Sequence, residues 1–308
     1  MMLSKLEYLT FQVQRKILRN HMPKHTSYGN KINDIDEGNR IIFDLLNSEK
    51  PCMIARIGSV EMQAINAVLN KKFGLRTEIP QVVLETLYNN AGFFPKSIDG
   101  IESFFSLYCE RANNVDAVAF LMNRDEDYFF HKYSRPKAYM TLNALEPYYS
   151  ENPWSKALEC KKVLVINPFA ETIKRQYKNR EKIFKNENVL PQFDLQTFKS
   201  VQSIAGATEG YNTWFSALDD MKNKIINFDF DIAILGCGAY AFPLASYIKD
   251  MGKQAIVMGG ATQILFGIKG ARWDNHPRIS KLYNEFWVRP DKNETPLNAF
   301  KVEGGCYW

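Results

Sequence analysis

Short apolar runs alternate with longer segments of helical periodicity along most of this chain. Six runs are predicted to be strands: 52–55, 116–122, 162–166, 193–198, 231–235 and 254–258. Segments with helical periodicity separate them, at 34–46, 59–69, 81–90, 98–111, 169–184, 211–226 and 239–250. Alternation of this kind predicts an α/β fold, a Rossmann-like parallel sheet with helices on both faces. Residues 123–149 are rich in aromatic and charged side chains and give no clear pattern.

The first 22 residues have the pattern of an amphipathic helix. Leu6, Val13 and Ile17 recur on one side, and basic residues lie elsewhere on its surface. Such a helix usually packs on the body of the protein or on a partner subunit. A peripheral contact with a membrane surface is the alternative. We therefore divide the chain into an N-terminal helix and linker, residues 1–30, and a single α/β domain, residues 31–308.

Composition and charge exclude several classes of protein. The 308 residues are 45% hydrophobic and 24% charged, as in ordinary globular proteins. The net charge of +5 suits an anionic small ligand. The lysines and arginines are not clustered into a basic stripe of the kind that binds nucleic acid. The five cysteines form no CxxC pair, and no signal peptide or apolar run of about 20 residues is present. These features predict a reduced, cytoplasmic protein.

Glycine-rich turns follow several of the predicted strands. In doubly wound sheets, ligands bind just beyond the carboxyl ends of the strands. Four turns take that position, at 56–61, 167–169, 236–240 and 259–263. Glycine lets a ligand approach the backbone, and the next helix offers unpaired N–H groups that suit phosphate. The predicted nucleotide-binding residues are Gly58, Ser59, Asn167, Gly236, Gly238, Tyr240, Gly259 and Gly260.

Two charged residues flank the first turn. Arg56 ends a buried strand, where a charge is costly unless it is paired or meets a ligand. It would clamp phosphate, or else form an ion pair with Glu61. Glu61 would bind a metal or act as a base, or else serve as a favourable acidic residue in the first turn of a helix. Ser59 is the predicted N-cap of that helix.

The turn at Gly236 also matches G-x-G-x-x-A, a relaxed dinucleotide-binding pattern. The acidic residue expected after the next strand is absent, because Met258 is followed by two glycines. The motif also lies late in the chain, whereas it usually opens the fold. A dinucleotide-dependent enzyme is therefore the least favoured of three interpretations of the function.

Two stretches resemble a known family. Residues 55–61, A-R-I-G-S-V-E, are similar to the R-x-G-D-G-E segment of glycosyltransferases with the GT-D fold. Residues 231–273 resemble the nucleotide-side half of GT-D-like domains of bacterial polysaccharide gene clusters, and the similarity extends from about Ile35 to the end of the sequence. The resemblance implies a Rossmann-like fold, a nucleoside-diphosphate sugar donor, and a D-x-E motif that holds a divalent metal, Mn or Mg.

Position by position, the resemblance implies catalytic roles for Arg56 and Glu61, with Glu61 also a metal ligand. The Asp of the motif falls on Ser59, and a hydroxyl is a poor substitute for a carboxylate in a site for a hard cation. The expected function is a glycosyltransferase of bacterial surface polysaccharide biosynthesis, with a glycan or lipid-linked glycan as acceptor. A homo-oligomer is a further expectation. The alternative is a non-catalytic nucleotide-binding or scaffold module of the same pathway.

The final segment, residues 302–308, carries two adjacent aromatic residues, Tyr307 and Trp308. A free tail is rarely so apolar, so we predict that this segment packs on the body of the protein.

Overall fold

The computed structural model describes residues 2–18, 26–27 and 30–308. Residues 19–25 and 28–29 of the predicted N-terminal helix and linker lie outside the described residues, as do the side chains of Arg15, Lys16 and Ile17 on the first helix.

A nine-stranded sheet forms the centre of the fold, and its spatial order is β1-β2-β5-β4-β3-β9-β8-β6-β7. Eight of these strands run parallel, and only the short edge strand β1 is antiparallel to its neighbour. The strands are β1 Thr26–Ser27, β2 Asn30–Asn33, β3 Cys52–Ala55, β4 Ala117–Phe120, β5 Ala138–Thr141, β6 Lys162–Asn167, β7 Asp194–Lys199, β8 Ile232–Leu235 and β9 Gln254–Val257. The predicted parallel α/β sheet is confirmed.

Helices connect the strands in the alternating pattern that the sequence predicts. They are α1 Met2–Leu18, α2 Ile35–Asn47, α3 Ser59–Lys72, α4 Gln81–Ala91, α5 Ile98–Arg111, α6 Glu126–Tyr133, α7 Ala170–Tyr177, α8 Arg180–Ile183, α9 Trp214–Ile225, α10 Ala241–Asp250 and α11 Ala261–Leu265. The predicted helix at 169–184 is broken into α7 and α8. None of the helices in the described part of the chain is long and apolar enough to cross a membrane.

The two faces of the sheet bury two separate cores. Side chains alternate along each strand, so Met53 and Ala55 of β3 enter one core while Cys52 and Ile54 enter the other. Helices α1, α3, α4, α5, α6, α9 and α10 contribute to the first core, and α2, α7, α8 and α11 contribute to the second. The central strands are buried along their whole length, as expected for a parallel sheet covered on both faces.

Helix α1 packs on the domain through a different face from the predicted one. Leu6 and Val13 are exposed, at 64% and 54% of their surface. Tyr8 is fully buried instead, its ring 5.0 Å from that of Phe73, and its hydroxyl donates to Asn70 Oδ1 at 3.1 Å. Aromatic side chains therefore dock this helix, because each buries more apolar surface than the aliphatic residues opposite.

Replacement of Tyr8 tests this docking. We expect Tyr8→Ala to lower the free energy of unfolding by about 3–5 kcal/mol, since it removes a fully buried aromatic side chain. The exposed Leu6→Ala is the matched control and should change stability by no more than about 0.5 kcal/mol. Urea denaturation of both variants measures the difference, and equal effects would contradict the observed face.

Candidate functional site

A cavity opens at the carboxyl ends of six adjacent strands, β4, β3, β9, β8, β6 and β7. The four predicted turns all reach it, because parallel strands end at the same edge of the sheet. The predicted site residues that line it are Arg56, Gly58, Ser59, Glu61, Asn167, Gly236, Gly238, Tyr240, Gly259 and Gly260. The structure therefore brings every sequence-predicted site residue to one place.

Arg56 leaves the end of β3 and crosses to the turn after β9. A Cβ atom placed on Gly259 would lie 3.0 Å from Arg56 Cζ, so only glycine leaves room for the guanidinium there. The backbone of Gly259 has φ +62°, which also favours glycine. Arg56 forms no ion pair within 4.0 Å among the described residues, although its charge acts on Glu61 and on the buried Glu126 and Glu146. The alternative ion pair with Glu61 is therefore not formed.

Glu61 lies in the first turn of α3, whose N-cap is Gly58 rather than the predicted Ser59. Its carboxylate turns back over the start of the helix, where a side chain on Gly58 would overlap it. Burial raises the pKa of the Glu61 carboxyl, while its own backbone N–H and the charge of Arg56 act in the opposite direction. Glu61 is 9% exposed and lines the cavity. The carboxylate therefore already interacts with a backbone N–H of its own helix.

Ser59 is held by the neighbouring loop between β4 and α6. Its hydroxyl donates to Asn123 Oδ1 at 2.8 Å, and Asn123 Nδ2 donates to the carbonyl of Ile57 at 3.4 Å. The buried Glu126 carboxyl fixes this loop by accepting the backbone N–H of Asn123 at 2.9 Å and that of Leu121 at 3.3 Å. One amide side chain thus ties the Arg56 turn to the next strand.

Asn167 and Gly236 join the turns that follow β6 and β8. Asn167 Nδ2 donates to the carbonyl of Gly236 at 3.0 Å, and its Oδ1 accepts the N–H of Phe169 at 2.9 Å. A Cβ on Gly236 would lie 2.5 Å from both Asn167 Nδ2 and Thr262 Oγ1. Asn167 lines the cavity, but both ends of its amide hold the backbone in place. These two residues shape the site rather than offer free polar groups.

Gly238 is the more open position in the turn after β8. It has φ +58°, and the nearest atom to an added Cβ would be 3.9 Å away, the carbonyl oxygen of Ala91. Tyr240 is buried nearby, its hydroxyl 2.7 Å from Ser203 Oγ and its ring stacked 4.8 Å from that of Trp214. A ligand can therefore approach the backbone at Gly238 more closely than at Gly236.

The final segment of the sequence forms one wall of the cavity. It packs on the body as predicted, with Val302 and Cys306 buried. A Cβ on Gly260 would lie 2.8 Å from Tyr307 Cε1, so the absence of a side chain there is explained by this aromatic ring. The Arg272 guanidinium lies 4.7 Å from the centre of the Tyr307 ring and forms an ion pair with Glu303.

Besides Asn90, Ala91 and Tyr108 of α4 and α5, sequence reasoning missed two groups of cavity residues. The first is the wall formed by Arg272, Glu303, Tyr307 and Trp308, whose packing was predicted but whose place was not. The second is the loop at 200–204, which follows β7. The loop follows a strand that was predicted, so the same edge rule indicates its position. Nothing in the local sequence indicates where the wall packs.

The residues present do not fit the divalent metal that the resemblance implies. Within the described ranges, no group of three or more His, Cys, Asp or Glu side chains is placed to hold a metal ion. The cavity carboxylates are Glu61, turned onto its own helix, and Glu303, paired with Arg272. Ser59 adds a neutral hydroxyl that is already bonded to Asn123. Mg²⁺ and Mn²⁺ favour several anionic oxygen ligands that are free to coordinate, and both carboxylates of this cavity already have other partners.

Comparison with known proteins identifies no family. No family model matches the chain, and no curated protein matches it. A solved structure of domain of unknown function 1792, determined with selenomethionine, is similar over 75% of this chain and 79% of its own length. The identity is 11% and the TM-score is 0.45. A likeness of this strength transfers no function to the chain.

The buried carboxyl of Glu126, in the loop that holds Ser59, should make the stability of the protein depend on pH. Burial raises the pKa of Glu126 from 4.5 to about 8, so the folded protein keeps a proton that the unfolded chain releases. Stability from this group is full below pH 4.5 and is lost as pH rises towards 8. We expect wild type to lose, relative to Glu126→Gln, on the order of a few kcal/mol between these limits.

Urea unfolding of both proteins across this range measures the difference in free energy. The comparison cancels other buried carboxyls, such as Glu146, whose pKa burial also raises. A constant difference between the two proteins at all pH values would show that Glu126 is ionised throughout.

Proposed function

We propose that the protein is a glycosyltransferase that takes a nucleoside-diphosphate sugar as donor. The observation that carries this proposal is the Arg56 guanidinium, which lines the cavity and forms no ion pair within 4.0 Å among the described residues. Glycine turns from β8 and β9 lie beside it. A cation of this kind, next to accessible backbone, suits the diphosphate of such a donor.

Each part of the cavity has a role in this proposal. The backbone at Gly238 approaches the nucleotide, and Arg56 beside Gly259 contacts the diphosphate. Negative charge develops on the diphosphate as the glycosidic bond breaks, and a preorganised guanidinium stabilises that charge. Glu61 lines the same cavity and orients a sugar hydroxyl. The rings of Tyr307 and Trp308 offer an aromatic surface on which a base or a sugar can stack.

The acceptor and the pathway rest on the resemblance of residues 55–61 and 231–273 to GT-D-like domains. A glycan or a lipid-linked glycan is the proposed acceptor, and the proposed process is assembly of a bacterial surface polysaccharide. The cavity itself supports the donor more directly than the acceptor, since its charge and its glycine turns address an anionic group.

A second candidate is a nucleotide-binding module without catalytic activity. The hydroxyl of Ser59, at the position of the family carboxylate, favours it, because a neutral hydroxyl is a poor substitute for the carboxylate that would hold a catalytic cation. The two candidates share the same ligand and differ in whether the glycosidic bond is broken.

Transfer and hydrolysis assays over a panel of nucleotide-sugars separate the two candidates. We expect turnover of at least one donor and a fall in kcat/KM of about 100-fold or more in Arg56→Ala, because transition-state charge loses its counter-ion. The matched control is Arg278→Ala, an exposed arginine outside the cavity that rests on the ring of Tyr149. It should behave as wild type.

Three results decide against parts of this assignment. Calorimetric binding of nucleotides without turnover of any donor favours the module. Full activity in Glu61→Ala removes the role given to that carboxyl. Equal loss of activity in the Arg56 and Arg278 variants shows a general effect on the fold rather than a contact with diphosphate.

A further inference from the structure

The carboxylate pair that would hold a divalent cation in this site is not available. Ser59 stands at the position of the Asp, and its hydroxyl donates to Asn123 Oδ1 at 2.8 Å. The bonded amide belongs to a loop that Glu126 holds in place through two backbone N–H groups. The Ser59 hydroxyl is therefore neutral and is directed at a fixed protein acceptor.

The remaining carboxylate of the motif serves the helix that carries it. Glu61 folds back over the first turn of α3, into the space that the missing side chain of Gly58 leaves open. To coordinate a cation in the cavity it would have to leave this position and give up the hydrogen bond from its own backbone N–H. The second cavity carboxylate, Glu303, is held by Arg272.

Of the two arginines on the cavity wall, Arg56 is the one that forms no close ion pair with a described residue. Arg56, Arg272, Glu61 and Glu303 are the charged side chains that line the cavity. Arg272 and Glu303 form an ion pair, and the negative charge of Glu61 is stabilised by its own backbone N–H and by the charge of Arg56. Arg56 forms no ion pair within 4.0 Å in the described part of the chain, although its charge acts on the buried carboxyls of Glu61, Glu126 and Glu146. Its guanidinium lies against Gly259. A planar guanidinium can donate two parallel hydrogen bonds to phosphate oxygens.

We propose that this site binds the diphosphate of its ligand without a divalent cation, with the Arg56 guanidinium as the counter-charge. The proposal rests on the proposed function, because it concerns how that same donor is held. It departs from the metal-dependent D-x-E site that the family resemblance implies.

The test is calorimetric titration of the full chain with inorganic pyrophosphate, uridine diphosphate and guanosine diphosphate. Each titration is done in EDTA and again with added Mn²⁺ or Mg²⁺. We expect at least one probe to bind in EDTA, with an affinity changed less than about threefold by either metal. In EDTA, Arg56→Ala should weaken binding by about 10- to 100-fold, and Arg56→Lys by less, since the lysine keeps the charge but not the paired donors.

Two further variants sharpen the result. Arg278→Ala, outside the cavity, should bind as wild type does. Ser59→Asp rebuilds the carboxylate pair of the family. It should weaken binding in EDTA, because a second negative charge faces the diphosphate, and added Mn²⁺ should restore affinity.

The outcomes are distinguishable. Binding by wild type that appears only with Mn²⁺ or Mg²⁺ overturns this inference and leaves the proposed donor class intact. Undiminished binding by Arg56→Ala in EDTA also overturns it. If no probe binds in either buffer, the proposed nucleotide-sugar function falls, and the inference falls with it.

Discussion

Hydrogen-bonded pairing between β3 and β9 is the constraint on which the site depends. Residue 53 of β3 lies opposite residue 255 of β9, and β9 in turn pairs with β8. This arrangement places the first half of the chain beside the last. Arg56 follows β3 and Gly259 follows β9, so their contact is a direct result of the strand order. If another strand took the place of β9 beside β3, the Arg56 guanidinium would not lie against Gly259 and would not line the cavity.

Much of the fold was predictable because its elements carry local signals. Strand β3 and helix α5 have the predicted bounds, and the glycine turns were placed by the rule that parallel strands end at one edge. Strand β5 was missed, since its four residues lie within an aromatic and charged region that also contains α6 and several short 3₁₀ turns. The prediction of the docking face of α1 was wrong. Burial of Tyr8 depends on residues of α3 and α6, and these contacts cannot be read from the periodicity of α1.

The candidate site shows the same division between local and tertiary information. The positions of its glycines were visible in the sequence, but their reasons were not. Gly236 accommodates Asn167, Gly259 accommodates Arg56, and Gly260 accommodates Tyr307. These contacts join parts of the chain that are far apart in sequence. The local sequence pattern therefore cannot show whether a glycine makes room for a ligand or for a neighbouring side chain. Gly238 is the position where open space remains.

The central place of β9 also has a consequence for how the molecule is made. Synthesis on the ribosome delivers β3 and β8 before β9, so the edges of these two strands that face β9 stay unpaired until β9 has been made. Exposed parallel edges are prone to pair with other chains, and contacts between distant segments form slowly. Before β9 is made, the nascent chain therefore lacks the central strand of its sheet. The exposed edges of β3 and β8 are then the places where pairing with another chain is most favourable.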